Sequence, residues 1–333
     1  MKKIFLIIFS LSVLLIGCQN KTISSTDNIK EKPEEKYYSY YTGKECTADD
    51  NNKPSFMGMI GNSSQARPQS GISYADIIYE TSAEGGIPRF IALFHDNLPE
   101  VIGPIRSVRP YFIDIAEELE LPFAHCGGSE DALNRISNDK NLMSINEISE
   151  GSYFWRDNKR KAPHNLYTSS ENITKYIISK NLEIKNKPFL SFNSEYYSNS
   201  EFTEANNLSI TINKGYNTSY NYKDGLYTKS MDGKISIDAL NNNQLNFSNI
   251  VIQKTNINLS SDNLHLNIDL LGKGEGYVLS GGKVIDVTWE KSAKGSRTIL
   301  YDKSGNKVPL SPGKTIWHIV DKKNDISIGT PSK

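Results

Sequence analysis

Residues 75–96 read ADIIYETSAEGGIPRFIALFHD, two apolar runs on either side of a Gly-Gly pair and a proline. Short apolar runs rich in β-branched and aromatic residues predict strands inside a sheet, and glycine and proline mark the connection between them. Glu80, Glu84 and Arg89 stand at or near the ends of the two runs. The stretch therefore predicts two inner strands that carry charged side chains to the rim of a sheet.

The flanking segments predict further strands. SFMGMI (55–60) is a short apolar run, and LPFAHCGG (121–128) reads as a strand followed by a glycine-rich loop. Together with three predicted helices, these strands predict a mixed α/β domain over residues 53–190.

Three segments of this domain predict helices. PYFIDIAEELE has apolar residues at helical spacing with Pro110 in its first turn, and SEDALNRISND has Ser129 as its expected N-cap. In TSSENITKYIISK, Thr168 and Glu171 have the spacing of a capping box, in which the fourth residue bonds back to the first.

The composition changes at about residue 190, after which Asn, Ser, Thr and Tyr dominate. NIVIQKTNI (249–257), KVIDVTWEK (283–291) and SPGKTIWHIV (311–320) then alternate as strands do, and tight turns such as SGGK separate the strands. Residues 191–333 are therefore predicted to form a β-rich domain. Trp289 and Trp317 are interpreted either as aromatic core residues or as a carbohydrate platform.

The N-terminus predicts export and lipid anchoring. MKK is followed by an apolar run over residues 4–16, which is shorter than the roughly 20 residues needed to span a bilayer. LIGC then resembles a bacterial lipobox, which predicts a signal peptide over residues 1–17 and acylation of Cys18, for example with palmitate. Polar residues 18–52 are interpreted as a flexible tether. We therefore expect a protein anchored through Cys18 on the extracytoplasmic face of the cell membrane.

Charge and cysteine content limit the possible functions. Lys plus Arg and Asp plus Glu both number 38, so the chain lacks the basic excess typical of nucleic-acid-binding proteins. Cys46 and Cys126 can form one disulfide at most, and no Cys/His spacing predicts a zinc site. Neither a metal nor a cofactor is expected.

Charged residues and glycines in the loops of the α/β domain predict a ligand site. Arginine suits bidentate capture of carboxylate or phosphate, and a glycine pair that leads into a helix N-terminus favours an anion. The alternative is an internal ion-pair network of the arginines with Glu80, Glu84, Asp76 and Asp114. The candidate ligand-binding residues are Arg67, Arg89, Arg106, Arg109, His125, Gly127, Gly128 and Ser129.

Evidence for catalysis is weaker. Glu80 and Glu84 can be interpreted as paired carboxylates for glycoside cleavage, with His125 as a further acid–base candidate. Glutamates in such positions more often form ion pairs with arginine than act in catalysis. Cys126 follows His125 directly, but adjacent strand residues point to opposite faces, so a structural cysteine is favoured. No common hydrolase motif occurs.

The α/β part contains four motifs in order: ARPQSGISYADIIYE, EGGIPRF, IGPIRSVRPYF and HCGGSEDA. These motifs resemble the first domain of the YerB-like bacterial lipoproteins, and residues 272–317 resemble the C-terminal domain of that family. The resemblance implies two domains and a surface location but no reaction, because the family is a domain of unknown function. Cys126 stands where a small residue such as alanine is expected. The resemblance maps the family's characteristic positions onto Arg67, Pro68, Asp76, Glu80, Glu84, Gly85, Gly86, Arg89, Phe90, Arg106, Arg109, Pro110, His125, Gly127 and Gly128.

The leading hypothesis is a binding or adaptor module that recognises an anionic wall component or an envelope protein. One alternative is a cell-wall hydrolase that uses Glu80 or Glu84 with His125. A second alternative is a structural ion-pair network, with partner binding through the β-rich domain. A hydrolase needs a carboxylate with a raised pKa in a cleft, whereas a binder needs arginines that are exposed and unpaired.

Overall fold

A computed structural model describes residues 35–329 of the chain. The predicted signal peptide, Cys18 and the tether as far as residue 34 lie outside these residues. Within them, a mixed fold with few helices and extensive sheet confirms the predicted fold class.

The α/β part contains short helices and strands that alternate along the chain. Its helices are α1 (Ala48–Asn51), α2 (Pro110–Leu119), α3 (Glu130–Asn138) and α4 (Ser170–Ser179). Its strands are β1 (Tyr37–Tyr38), β2 (Glu45–Cys46), β3 (Phe56–Gly61), β4 (Ile77–Ser82), β5 (Pro88–Phe94), β6 (Phe123–His125), β7 (Ser144–Asn146), β8 (Trp155–Arg156) and β9 (Leu166–Tyr167).

After residue 190 the described chain forms strands and one short 3₁₀ helix, at Tyr196–Ser198. The strands are β10 (Thr203–Glu204), β11 (Asn207–Asn213), β12 (Tyr216–Lys223), β13 (Leu226–Met231), β14 (Lys234–Ile235), β15 (Asn246–Phe247), β16 (Asn249–Thr255), β17 (Ile257–Leu259), β18 (Leu266–Ile268), β19 (Gly272–Ser280), β20 (Lys283–Lys291), β21 (Ile299–Tyr301), β22 (Thr315–Asp321) and β23 (Asp325–Gly329).

Strands from both parts pair in one 11-stranded sheet. The order is β10-β20-β19-β16-β22-β4-β5-β3-β6-β7, with β21 beside β20. Strand β22 lies between β16 and β4 and pairs in parallel with both. The two predicted domains therefore share a sheet, and residues 36–329 form one compact unit.

The two faces of the large sheet are covered by different elements. Met57 and Tyr79 pack in an apolar cluster with residues of α2 such as Phe112. Their strand neighbours Phe56 and Ile78 pack in a second cluster with the other, six-stranded sheet, whose order is β14-β13-β12-β11-β23 with β15 beside β13. This follows from the strand period of two, which sends alternate side chains to opposite faces.

The predicted helix starts are close to the observed ones. Pro110 is the first residue of α2, where its missing N–H costs no hydrogen bond, and Ser129 is the N-cap of α3. The expected capping box at Thr168 is wrong by one residue, because the hydroxyl of Ser169 caps α4 by accepting from the Asn172 N–H. Thr168 instead exchanges backbone hydrogen bonds with Ile102.

The tether prediction is wrong from Tyr37 onward. Strands β1 and β2 form a hairpin, and Thr47 and Asp50 close a capping box on α1. Tyr41 is 1% exposed and belongs to the core beside α2. Its aromatic side chain buries a large apolar area, which anchors this segment onto the folded unit.

The two tryptophans of the β-rich part are core residues. Trp289 and Trp317 are buried, and their indole N–H groups donate to the carbonyl of Lys254 and the side chain of Gln253. A carbohydrate platform is therefore wrong for this pair. Each ring has its polar atom satisfied inside the protein, as buried indoles usually do.

Candidate functional site

The arginine-bearing segment between α2 and the sheet is held by backbone hydrogen bonds. The Arg106 N–H donates to the carbonyl of Met59 on β3, and the Arg106 carbonyl accepts from Cys126 just after β6. Val108 forms a bridge with Gly128 in the same way. Arg106 and Arg109 are thereby fixed at the rim of the sheet.

Arg109 forms a bidentate ion pair with Glu84. Its Nε and Nη2 donate to the two carboxylate oxygens of Glu84, and the Nη2–Oε2 distance is 2.8 Å. Arg89 Nη2 lies 3.6 Å from Glu84 Oε2, and His265 Nε2 lies 4.0 Å from Oε1. We call these four residues the Glu84 cluster. No local sequence pattern predicts that His265 joins this cluster, because it lies far along the chain in the β-rich part.

The charges in the Glu84 cluster keep its carboxylate ionised. Burial alone raises the pKa of Glu84, but hydrogen bonds and charge from Arg109, together with the charge of Arg89, lower this pKa below its ordinary value. Burial and the neighbouring Arg109 lower the pKa of Arg89 to about 10. Glu84 thus lacks the raised pKa that a general acid needs at neutral pH.

Arg106 lies beside the Glu84 cluster but pairs differently. Its Nη1 donates to the carbonyl of Pro163 at 3.0 Å, and no carboxylate of the described chain lies within ion-pair distance. Burial lowers its pKa, and the charge of Arg109 lowers it further. Of the predicted arginines in this region, Arg106 is the one that keeps its charge uncompensated by a direct carboxylate partner.

Pro163 belongs to a short hairpin, which has no periodic sequence pattern that would predict it. Strands β8 and β9 pair through Trp155 with Tyr167 and Arg156 with Leu166. The connecting loop carries Lys159, Arg160 and Lys161. We call residues 155–167 the basic hairpin, since it has four cationic residues, and Asp157 as its one acidic residue.

The basic hairpin packs against the loop that holds Arg67. Arg160 donates to the carbonyls of Ala66 and Pro68 at 3.0 and 2.8 Å. Burial lowers the pKa of His164, and the charges of Arg106 and Arg160 contribute in the same direction. The hairpin therefore brings its cations next to Arg106.

Lys159 and Lys161 are exposed at the tip of this hairpin. Arg156 pairs with Glu147 at 3.3 Å, but within residues 35–329 neither lysine, nor Arg160, has a carboxylate within 4 Å. We call Arg106, Lys159, Arg160 and Lys161 the basic rim. The run RDNKRK at 156–161 is the sequence signal that marks it.

Arg67 lies apart from the Glu84 cluster. Its Nη2 pairs with Asp232 on the turn after β13 at 2.5 Å, which links the two parts of the chain. A cavity of about 500 Å³ opens beside it, lined also by Gln69 and Lys234. Arg67 and Arg109 therefore do not belong to one site. The loop that holds Arg67 nevertheless contacts the basic rim, because Arg160 donates to the carbonyl of Ala66.

His125 is a buried structural residue. Its Nδ1–H donates to the carbonyl of Gly127 at 2.8 Å, so its Nε2 accepts from the Ser144 hydroxyl at 2.7 Å. Burial lowers its pKa to about 4, which keeps the ring neutral. His125 is fully shielded from solvent and thus has no access to a substrate.

The glycine pair after His125 is required by backbone geometry. Gly127 has φ +61°, and its N–H donates to Asn146 Oδ1. A Cβ on Gly128 would lie 3.0 Å from a methyl group of Val108. The Ser129 hydroxyl makes no capping bond and is buried without a partner. No ligand role follows from these contacts.

Cys126 is not an activated nucleophile. Burial and its hydrogen bond to Glu147 raise the pKa of the Cys126 thiol to about 11. Cys46 and Cys126 are both free thiols. This agrees with a structural role and excludes a disulfide between them in this structure.

Glu80 belongs to a separate, fully buried cluster. Its carboxylate accepts from Lys229 Nζ at 2.7 Å and from Asn62 at 2.6 Å, and both charged side chains are 1% exposed. Lys229 also donates to Thr218 and Tyr220. The expectation that Glu80 pairs with an arginine is wrong, because Lys229 from the six-stranded sheet occupies that position.

Residues 35–329 contain neither a cluster of metal-ligating side chains nor a membrane-spanning helix. No group of three or more His, Cys, Asp or Glu side chains there has a geometry that can hold a metal ion. No helix in the same range is long and apolar enough to cross a membrane.

The chain matches two family models that together run through both of its parts. Residues 41–183 match the N-terminal domain of the protein of unknown function DUF3048. Residues 207–317 match the C-terminal domain of the same family. The Glu84 cluster except His265, and the whole basic rim, lie within the first match.

A relative from Bacillus subtilis (strain 168), named "Putative lipoprotein YerB", is 32% identical over 323 residues, which cover 95% of this chain and 94% of the relative. The crystal structure of the YerB protein from Bacillus subtilis is similar as well, with a TM-score of 0.79 and 31% identity. This structural match covers 87% of the chain and 99% of the crystallised one.

Proposed function

We propose a function on the premise that this chain belongs to the YerB-like DUF3048 family, a family of unknown function with two domains. The protein is a lipid-anchored lipoprotein that binds an anionic polymer of the cell wall through the basic rim. The observation that carries this proposal is the set of four cations, Arg106, Lys159, Arg160 and Lys161, none of which has a carboxylate partner within 4 Å in the described range.

The chemistry of the basic rim favours a ligand with several negative charges. Formal charges balance over the whole chain, so a group of uncompensated cations is a local feature. Its two lysines are exposed and its arginines present planar donors, which suit phosphate or carboxylate oxygens. Repeated charges along a polymer satisfy more of these groups at once than a single small anion does.

Binding to purified walls tests the proposal. The triple variant Arg106→Gln, Lys159→Gln and Lys161→Gln keeps Arg160, whose hydrogen bonds hold the hairpin. Three contacts of about 0.5 kcal/mol each, two from exposed lysines and one from the partly buried Arg106, predict roughly tenfold weaker binding in a sedimentation assay. Binding of the wild-type chain also weakens as salt rises, because exposed charges are screened.

The matched control is Lys214→Gln, Lys223→Gln and Lys273→Gln. These lysines are exposed and form no ion pair in the described range, so the control changes the net charge equally. It retains wild-type binding if the location of the charge matters. Equal loss in both triple variants, or unchanged binding by the first, rejects the basic rim as the site.

The anchoring part of the proposal rests on the N-terminal sequence and on the relative's name. Cys18 follows the pattern of a lipobox, and the relative is called a lipoprotein. Cys18→Ala is expected to move the protein out of the membrane fraction and out of the detergent phase in Triton X-114 partitioning. Retention of the variant in the membrane fraction would contradict lipid anchoring at this residue.

A structural role is the second candidate for the remaining arginines. The bidentate pair of Arg109 with Glu84, and the bond of Arg89 to the Ser107 carbonyl, support an internal network for those two residues. The hydrolase alternative has less support, since Glu80 is buried in an ion pair and the pKa of Glu84 is lowered.

A further inference from the structure

A second concave site lies where the α/β part meets the six-stranded sheet. It is a cavity of about 530 Å³ between the 3₁₀ turn at Ile72–Tyr74, the segment 242–248 and the residue that precedes β22. Lys44, between β1 and β2, closes one side. Its volume is within the range of about 300–1,000 Å³ that is usual for small-molecule sites.

The cavity has a positive lining. Lys44 and Lys314 line it, and no aspartate or glutamate does. Lys314 Nζ donates to the backbone carbonyl of Ser73, and no carboxylate of residues 35–329 lies within 4 Å of either ammonium group. Burial lowers the pKa of Lys314 and the charge of Lys44 adds to this effect, whereas the charges of Asp76, Asp238 and Asp96 act against it.

The acidic residues behind the cavity do not line it, and they accept hydrogen bonds from backbone N–H groups. Asp238 is buried and accepts backbone N–H groups of Gly71, Ser73 and Leu240. Burial, together with the charge of Asp96, raises the pKa of Asp76 to about 8, so this carboxyl is mostly protonated at neutral pH. Among the residues that line the cavity, the two lysines therefore carry the only formal charges.

The rest of the lining suits a hydroxylated ligand. Asn242, Asn243 and Gln244 stand on one wall, and their side chains form no hydrogen bond within the described part of the chain. Amide side chains can donate and accept at once, as sugar hydroxyls also do. Ile72 and Phe247 add apolar surface, against which the C–H groups of a sugar ring can pack.

We propose that this cavity binds a monosaccharide that carries one acidic group, with Lys44 and Lys314 on the anion and the amides on the hydroxyls. We name it the lysine pocket. Its residues are separate from the basic rim, so the inference does not rest on the function proposed above. Free sugar phosphates and carboxylated sugar units of wall glycans share this chemistry.

Titration calorimetry with three probes tests the lysine pocket. The probes are glucose 1-phosphate, glucuronate and, as an uncharged control, glucose. The wild-type chain is expected to bind one or both charged sugars at least tenfold more tightly than glucose. Comparison of glucose 1-phosphate with glucuronate identifies which acidic group fits the cavity. The proposal is overturned if the wild-type chain binds neither of these two sugars at concentrations up to about 10 mM.

Variants locate the site. Lys44→Gln, an exposed position, is expected to weaken binding of the charged sugar at least threefold, whereas Lys273→Gln leaves it unchanged. Lys44→Gln with Lys314→Gln is expected to abolish binding, with circular dichroism as the check that the double variant is folded. If it is unfolded, Lys44→Gln alone decides. Unchanged affinity in Lys44→Gln overturns the proposal.

The basic rim variant separates the two proposals. Arg106→Gln with Lys159→Gln and Lys161→Gln is expected to keep wild-type affinity for the charged sugar while it loses binding to walls. Loss of sugar binding in that variant instead assigns the sugar to the basic rim and overturns the lysine pocket.

Discussion

Glu84 is a single carboxylate that holds two guanidinium groups at the rim of the sheet. It sits in a 3₁₀ turn directly after β4, and its partners come from β5 and from the start of α2. The bidentate pair with Glu84 fixes the entry of the chain into α2, because Arg109 is the residue that precedes Pro110. Arg89 and Arg109 thus hold the backbone that leads into α2, in addition to contributing charge.

Glu84→Gln is expected to lower the free energy of unfolding by about 2 kcal/mol, since it leaves two largely buried guanidiniums without their anion. Urea denaturation at pH 7 measures this change. The matched control is Glu120→Gln, which removes an exposed pair with Lys187 and is expected to cost less than about 1 kcal/mol. Equal losses in the two variants would contradict the role assigned to Glu84.

His125 predicts a pH dependence of stability. The pKa of His125 is lowered by burial to about 4 in the folded state, while an unfolded histidine titrates near its ordinary value of 6.5. As pH falls through this window the unfolded chain takes up a proton that the folded chain does not. Stability must therefore decrease from pH 6.5 towards pH 4, by up to about 3 kcal/mol from this residue.

Denaturation of wild type and His125→Gln at several pH values measures this contribution. The variant is expected to be less stable at pH 7, because it changes the contacts with Gly127 and Ser144, but to lose less stability between pH 6.5 and 4. Parallel curves for the two proteins would show that His125 does not titrate as inferred.

The basic hairpin is the element that unites the proposed binding surface. Its two strands are two residues each, so it depends on side-chain contacts with the rest of the protein. Arg160 supplies two of these through the carbonyls of Ala66 and Pro68. Trp155 stacks on Tyr167 with 6.3 Å between ring centroids.

Arg160→Gln is expected to loosen the basic hairpin without unfolding the protein. Hydrogen exchange of the backbone amides of Asp157 and His164, which are bonded within the hairpin, should accelerate at least tenfold. Lys159→Gln, which removes a neighbouring charge but none of these hydrogen bonds, serves as the control. Unchanged exchange in Arg160→Gln would mean that the hairpin is held by other contacts.

Local sequence signals predicted some elements well and missed others for physical reasons. Strands β4 and β5 and helix α2 have long apolar patterns, and the structure contains each of them. In the basic hairpin, the run APHNLYT (162–168) predicts one strand, which contains β9, whereas β8 is not predicted because a two-residue strand leaves no periodicity to detect. The capping residue of α4 shifted by one position because tertiary pairing with Ile102 recruits Thr168 into an extended segment.

At the scale of the whole molecule, charge pairing was the least predictable feature. Glu80 and Lys229 are separated by 149 residues in sequence, and no local pattern links them. The arginines near Glu80 in the chain were the obvious partners, but the β4 side chains alternate, so Glu80 faces the six-stranded sheet. Glu84 lies beyond β4, in the 3₁₀ turn Glu84–Gly86 where strand alternation no longer applies, and its ion pairs are separate from the pair of Glu80 with Lys229.

The pair of Glu80 and Lys229 joins the two sheets, and it predicts strong coupling. Glu80→Gln alone is expected to cost about 3–5 kcal/mol, because it leaves the buried ammonium of Lys229 uncompensated. The double variant Glu80→Gln with Lys229→Met should recover part of the free energy of unfolding that Glu80→Gln alone loses. A double-mutant cycle by urea denaturation measures the coupling, and additive effects of the two substitutions would argue against a direct buried pair.

Strand β22, which begins at Thr315, lies between β4 and β16. A ribosome makes the chain from its N-terminus, so β4 is synthesised long before the strand that completes its sheet. Until then β4 and β16 each present an open edge, and open edges invite pairing with other chains. The large sheet therefore closes only after residues 315–321 have been made, and a nascent chain that lacks them needs protection from aggregation rather than time to fold.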